Sequence, residues 1–189
     1  MLDGVNKRWP NIRHRILKPF VFKTNPNFIT IAALLTAFAA GSAIMQNNLL
    51  LATFLVLLNG FLDILDGEIA RKYGKSMRGD FLDHTADRIA DVFIIGGVIA
   101  GGFIDTWTGI VAISLMLLVS YIGTESQALT RKRLYAGVMG RADRLVLITA
   151  GLIAEMVWPG ALLIMMLILI LLSAVTFCQR FFALWSTLR

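Results

Sequence analysis

The chain has 189 residues, of which 57% are apolar and 16% are charged. Soluble domains run nearer half apolar and a quarter charged, so an ordinary soluble domain, a disordered segment and a collagen-like repeat are excluded. The lone cysteine, Cys178, excludes an intrachain disulfide and a cysteine-based metal cluster, and the net charge of +6 has to be explained by where the basic residues fall.

Residues 1–26 lack the continuous apolar run of a signal peptide. Val5, Trp9, Ile12, Ile16 and Phe20 instead recur at three- and four-residue steps, with Arg13, Arg15 and Lys18 between them. That pattern predicts an amphipathic helix lying on the inner leaflet. Residues 27–189 form one membrane domain with six apolar stretches of spanning character, at 28–45, 49–65, 81–104, 107–128, 145–158 and 161–186. With the N-terminus inside, all 18 Lys and Arg fall on inner segments and none on outer loops. The positive-inside rule then sets both termini in the cytoplasm and the fold as all-α and integral to the cell membrane. The basic charge is topology and attraction to anionic lipid, not nucleic-acid binding.

Carboxylates at membrane depth are costly, which makes them functional candidates by default. Seven of the 12 acids lie between Asp63 and Asp91, where the second and third spans meet on the inner side. Asp63 and Asp66, three apart, share one helix face, and Asp83 and Asp87, four apart, share another. A tight inner loop makes the two helices antiparallel neighbours, so the pairs can converge. Four such carboxylates would repel one another unless cations sit between them, and all-oxygen ligands suit Mg²⁺, Mn²⁺ or Ca²⁺. Two divalent ions bridged by carboxylates form a clamp for displacement at phosphorus. Gly67, Ala70 and Gly79 keep the surface shallow, and Arg71 offers a fork suited to phosphate. Of the neighbours, Asp80 is expected to cap the third helix, Asp91 to form a buried hydrogen bond or pair with Arg88, and Glu68 to pair with Lys72. Gly96-Gly97 and Gly101-Gly102 are expected at a close helix crossing or a dimer seam.

Asp63-x2-Asp66-Gly67-x2-Ala70-Arg71, then seven residues, then Gly79-x3-Asp83-x3-Asp87, resembles the signature of the CDP-alcohol phosphotransferases. The likeness extends to the six-span core and to Asn25-Pro26-Asn27-x2-Thr30 ahead of the first span, which is similar to that family's Pro-Asn-x-x-Thr. The resemblance implies a transferase of phospholipid synthesis, working at the cytoplasmic face. A hydroxyl of a small alcohol attacks the lipid-side phosphorus of a CDP-linked lipid, and CMP leaves. By matched position, Asp63, Asp66, Asp83 and Asp87 would hold two Mg²⁺ or Mn²⁺ ions. Asp83 and Asp87 would be the catalytic pair, with Asp87 as general base. Asp63, Gly67, Ala70, Arg71 and Gly79 would line the CDP site, with Asn25 and Thr30 on its cytidine side. Family members are commonly homodimers, and the same is expected here.

The inner loop between spans four and five carries Arg131, Lys132, Arg133, Arg141 and Arg144. These cations serve topology, or they bind a phosphate on the acceptor, which favours inositol phosphate or glycerol phosphate over serine or ethanolamine. Gly140-Arg141-Ala142-Asp143-Arg144 resembles the segment with which phosphatidylinositol-phosphate synthases grip inositol phosphate. Arg141, Arg144 and Arg133 are therefore the expected acceptor-phosphate ligands. Those synthases carry an arginine-bearing Ser-Tyr-x-x-Ala-Arg segment where this chain reads Ser120-Tyr121-Ile122-Gly123-Thr124-Glu125, and glycerol 3-phosphate stays open as the alternative acceptor. Gly123-Thr124-x2-Gln127-Ala128 is similar to archaeal members, which leaves CDP-diacylglycerol and CDP-archaeol both open as donor. The competing reading of another class is a carboxylate-based ion or proton transporter. It would call for midplane acids and an inverted repeat, neither of which the sequence shows.

Overall fold

The computed structural model describes residues 21, 24–74, 76–131, 134 and 136–188. Nearly all of the predicted inner-surface helix at 1–26, and Arg133, lie outside the described residues. Among the described residues there are six helices and no strand: α1 (Pro26–Met45), α2 (Leu49–Tyr73), α3 (Met77–Ala100), α4 (Thr106–Thr130), α5 (Arg141–Glu155) and α6 (Ala161–Thr187). Each predicted span has its helix. Four of them, α1, α2, α4 and α6, are long and apolar enough to cross a membrane. α5 falls short with 15 residues, and α3 carries Arg78, Asp80, Asp83, Asp87 and Arg88 in its first half and Asp91 just beyond.

The described residues divide into two compact units, one ending at Gly102 and the other starting at Phe103. In the first, α1 packs against both α2 and α3. Pro26 opens α1 at its first turn, where a missing N–H costs nothing, and the Asn25 side chain accepts the Asn27 N–H at 3.1 Å. The face of α1 toward the core is small: Ala33, Ala37, Ala40 and Gly41 are buried. Gly41 and Gly97 let the α1 and α3 backbones touch, since a Cβ on Gly41 would lie 2.3 Å from the Phe93 carbonyl oxygen and one on Gly97 2.3 Å from that of Gly41. The expected close crossing is therefore at Gly97, whereas Gly96 has nothing within 4 Å. Asn59, fully buried on α2, donates to the Ala33 carbonyl at 2.7 Å and ties α2 to α1.

The link between α2 and α3 is short. Gly74, at φ +119°, ends α2, and the Ser76 hydroxyl caps α3 by accepting the Gly79 N–H at 3.0 Å. The expectation that Asp80 caps this helix is corrected. Met77, Arg78 and Gly79 continue the helix backward, and Asp80 sits in its first turn.

In the second unit α6 packs against both α4 and α5. Asp105 starts α4 by accepting the Trp107 and Thr108 N–H groups at 3.0 and 3.1 Å together with the Thr108 hydroxyl, and these bonds hold its carboxyl below the usual carboxylate range. Glu155 closes the α5–α6 turn, its carboxylate accepting the Gly160 N–H at 2.9 Å and the Leu162 N–H at 2.7 Å. α4 ends at Arg131 in the left-handed region (φ 57°), and the described residues 136–140 ahead of α5 are not helical.

Candidate active site

Three of the four expected carboxylates converge in one group. Asp63 and Asp66 come from α2 and Asp83 from α3, and each offers an oxygen within 4.8 Å of the others. Asp66 is the deepest, at 4% exposure. Its Oδ2 accepts a 2.8 Å hydrogen bond from Thr30 Oγ1 on α1, and the same hydroxyl lies 3.2 Å from the Pro26 carbonyl. Thr30 thus reaches the acidic cluster directly, and it also lines the cleft beside that cluster, on the side expected to face the donor. Asp83 belongs to a second set as well, with His84 and Asp87, again within 4.8 Å. Three carboxylates drawn this close are held apart by their own charge unless a cation screens them. An oxygen-rich set of this kind fits Mg²⁺ or Mn²⁺ far better than zinc.

A cleft opens beside the cluster. α1 contributes Pro26, Asn27 and Thr30; α2 contributes Asp66, Gly67, Ala70 and Arg71; the start of α3 contributes Ser76, Gly79, Asp80 and Asp83. Every small residue of the signature lines it. A Cβ on Gly67 would sit 3.6 Å from an Arg71 guanidinium nitrogen, and one on Gly79 would press at 3.1 Å on Asn27 Oδ1 and Ser76 Oγ. Arg71 pairs at 2.9 Å with Glu68, not Glu68 with Lys72 as expected, while the Lys72 ammonium lies over the Tyr73 ring at 5.2 Å. The Arg71 side chain remains 45% exposed.

Asn25 is not in the cleft: it caps α1, and Asn27 takes the cleft position. The signal for this was present, since Pro26 at the first helical position makes the residue before it the cap. Ser76 and Asp80 are further lining residues that the spacing argument passed over. His84 stands between two acids, with Nδ1 3.5 Å from Asp83 and Nε2 3.7 Å from Asp80. Arg88 donates to the His84 carbonyl, and Asp91 is buried at 5% exposure.

The expected acceptor residues lie at the start of α5. Gly140 is the N-cap, Arg141 opens the helix half-buried, and Asp143 Oδ2 accepts the Gly140 N–H at 2.8 Å. Arg144 is buried at 4% exposure and directs a guanidinium nitrogen to the Met116 carbonyl on α4 at 3.4 Å.

Residues 23–176 match the CDP-alcohol phosphatidyltransferase family. The archaetidylinositol phosphate synthase of Methanothermobacter thermautotrophicus is 33% identical over 165 residues, covering 86% of this chain and 84% of that protein. The phosphatidylinositol phosphate synthase of Mycobacterium marinum is 29% identical, covering 86% of this chain and 74% of its own. The crystal structure of Mycobacterium tuberculosis phosphatidylinositol phosphate synthase with CDP-DAG bound has a TM-score of 0.78 at 24% identity, covering 92% of both chains. The same enzyme in complex with manganese and citrate has the same TM-score, over 92% of this chain and 87% of that one. Those two likenesses are of fold.

Proposed function

The chain belongs to the CDP-alcohol phosphatidyltransferase family, and from that membership we propose that it transfers the phospholipid moiety of a CDP-linked lipid to the hydroxyl of inositol phosphate, releasing CMP. It is an integral membrane enzyme by its apolar helices and its family. The convergence of Asp63, Asp66 and Asp83 beside a cleft lined by Gly67, Ala70, Arg71 and Gly79 supports this reading most.

Asp63, Asp66, Asp83 and Asp87 would hold Mg²⁺ or Mn²⁺, which when bound neutralises diphosphate charge and polarises its oxygens. A relative of the same fold was crystallised with manganese. Gly67, Ala70 and Gly79 leave room for the CDP diphosphate to approach the backbone, and Arg71 presents its fork to a phosphate oxygen. Thr30 orients Asp66 through its 2.8 Å hydrogen bond. Asp87 takes the proton from the acceptor hydroxyl as its oxygen bonds to the lipid-side phosphorus. The bond from that phosphorus to the bridging oxygen breaks, and CMP departs with the electron pair. The segment with Arg133, Arg141 and Arg144 recognises the acceptor's phosphate, and relatives named as inositol phosphate synthases favour that acceptor over glycerol 3-phosphate. The charge asymmetry of the sequence supports a site facing the cytoplasm.

The test is CMP release by the purified protein in detergent with Mg²⁺ or Mn²⁺. CDP-archaeol and CDP-diacylglycerol serve as donors, and inositol 1-phosphate, glycerol 3-phosphate, inositol and serine as acceptors. Release dependent on inositol 1-phosphate is the expected result. Release with serine or free inositol in preference to it would overturn the acceptor assignment.

A further inference from the structure

The segment leading into α5 is held from α6 by a run of side-chain bonds. The Val138 N–H donates to Gln179 Oε1 at 3.1 Å, and the Met139 N–H to Thr176 Oγ1 at 3.0 Å. The next amide, of Gly140, is taken by Asp143 at 2.8 Å. Three successive backbone donors therefore each have a side-chain acceptor, and a slip of one residue along α6 would cost the Val138 and Met139 bonds while the local Gly140–Asp143 bond travels with the segment. Thr176 is fully buried, and its hydroxyl donates to the Leu172 carbonyl at 2.7 Å, which orients the oxygen to accept from Met139. The fit is also steric. Gly137 lies at φ +117°, and a Cβ there would meet Thr176 Cγ2 at 2.4 Å. Thr176 and Gln179 are three apart, so they reach the segment from one face of α6.

We propose that Thr176 and Gln179 are positioning residues for acceptor recognition: by fixing the Val138 and Met139 amides they set where α5 begins and hence where the Arg141 guanidinium stands. This rests on the reading of Arg141 as a ligand of the acceptor's phosphate. Neither residue lines the cleft of Gly67, Ala70, Arg71 and Gly79, so the effect of losing them is expected on the acceptor. Misplacing a charged ligand by about an ångström costs binding roughly ten- to a hundredfold.

The experiment measures CMP release against inositol 1-phosphate and CDP-lipid for the full-length wild type, T176V, T176S, Q179L, Q179E and R141Q. T176V keeps the volume and removes the acceptor oxygen; T176S and Q179E restore an acceptor. The expected result is a KM for inositol 1-phosphate raised about tenfold or more in T176V and Q179L, with kcat and the CDP-lipid KM within about twofold of wild type. T176S and Q179E return the KM toward the wild-type value. Gln179 is exposed, so Q179L tests the idea even where T176V fails to fold. Wild-type acceptor KM in Q179L overturns the inference. So does a fall in kcat together with a rise in both KM values and a lower melting temperature, the pattern of a merely structural role. Raised acceptor KM in R141Q with unchanged values in T176V and Q179L sinks the positioning role alone. An unchanged acceptor KM in R141Q sinks the acceptor reading, and the inference with it.

Discussion

The two places where this enzyme gathers polar residues are built on different principles. The carboxylate site hangs from two regular helices packed on α1: helix spacing puts Asp63 beside Asp66 and Asp83 beside Asp87, and packing brings Asp83 to the first pair. The segment before α5 has no regular structure, and its course is set by hydrogen bonds from residues about 40 positions later in the chain. A site on regular elements tolerates change in its surroundings and is ruined by change in its ligands. A site at the end of an irregular segment depends on residues that never meet the substrate.

The sharpest way to break that contrast is to remove one carboxylate. D66N or D83N keeps the side-chain volume and deletes a negative charge from a cluster whose oxygens lie within 4.8 Å. Turnover is expected to fall at least about a thousandfold with every acceptor, because metal binding is lost rather than one substrate contact. Folding should survive, since the change relieves like-charge repulsion in the metal-free protein. CMP release and thermal melting in detergent check both halves. Substantial activity in D66N would remove Asp66 from the metal set. R141Q is the counterpart at the other region, and its loss should be confined to phosphorylated acceptors.

A middle-sized effect belongs to Thr30, which lines the cleft and supports the carboxylate site through Asp66. T30V keeps the shape and deletes the 2.8 Å bond to a carboxylate that is 4% exposed. Loss of such a supporting bond typically weakens metal binding ten- to a hundredfold, on the order of what is expected here. A Mn²⁺ titration followed by electron paramagnetic resonance reads the affinity without relying on turnover. T30S should recover it, and wild-type Mn²⁺ affinity in T30V would return Thr30 to a plain helix-packing role.

The same contrast explains what could be read in the sequence. The six helices and the aspartate cluster were legible because both follow from local periodicity: apolar stretches of membrane length, and acids at three- and four-residue steps. The errors at this site are one-turn errors. Asp80 looked like the cap of α3 because Asp favours helix starts, but Ser76 caps a helix that begins earlier. Asn25 and Asn27 flank the same proline, and only the proline's place at the first helical position tells the cap from the cleft residue. Glu68 has cations at both i+3 and i+4, and it bonds the Arg71 fork, which turns Arg71 toward the cleft's own helix. Nothing local announced Thr176 or Gln179, whose partners lie 37 and 41 residues away. The left-handed Gly137 is visible only once the backbone is drawn.

Glycine offers the smallest and most discriminating comparison. At Gly79 an added methyl meets only Asn27 Oδ1 and Ser76 Oγ, each at 3.1 Å, and both are side-chain ends that can give by a few tenths of an ångström. G79A should fold normally and raise the CDP-lipid KM only about two- to fivefold, by narrowing the cleft, with the acceptor KM unmoved. At Gly137 the added methyl meets a buried Thr176 at 2.4 Å with φ at +117°, a conformation L side chains avoid, so the segment itself must move. G137A should therefore raise the acceptor KM and leave the CDP-lipid KM alone, the mirror of G79A. If both substitutions instead raised the same KM, the assignment of donor and acceptor to separate regions would fail. A crossed result, with each glycine affecting its own substrate, would tie the helix-borne site to the donor and the side-chain-held segment to the acceptor.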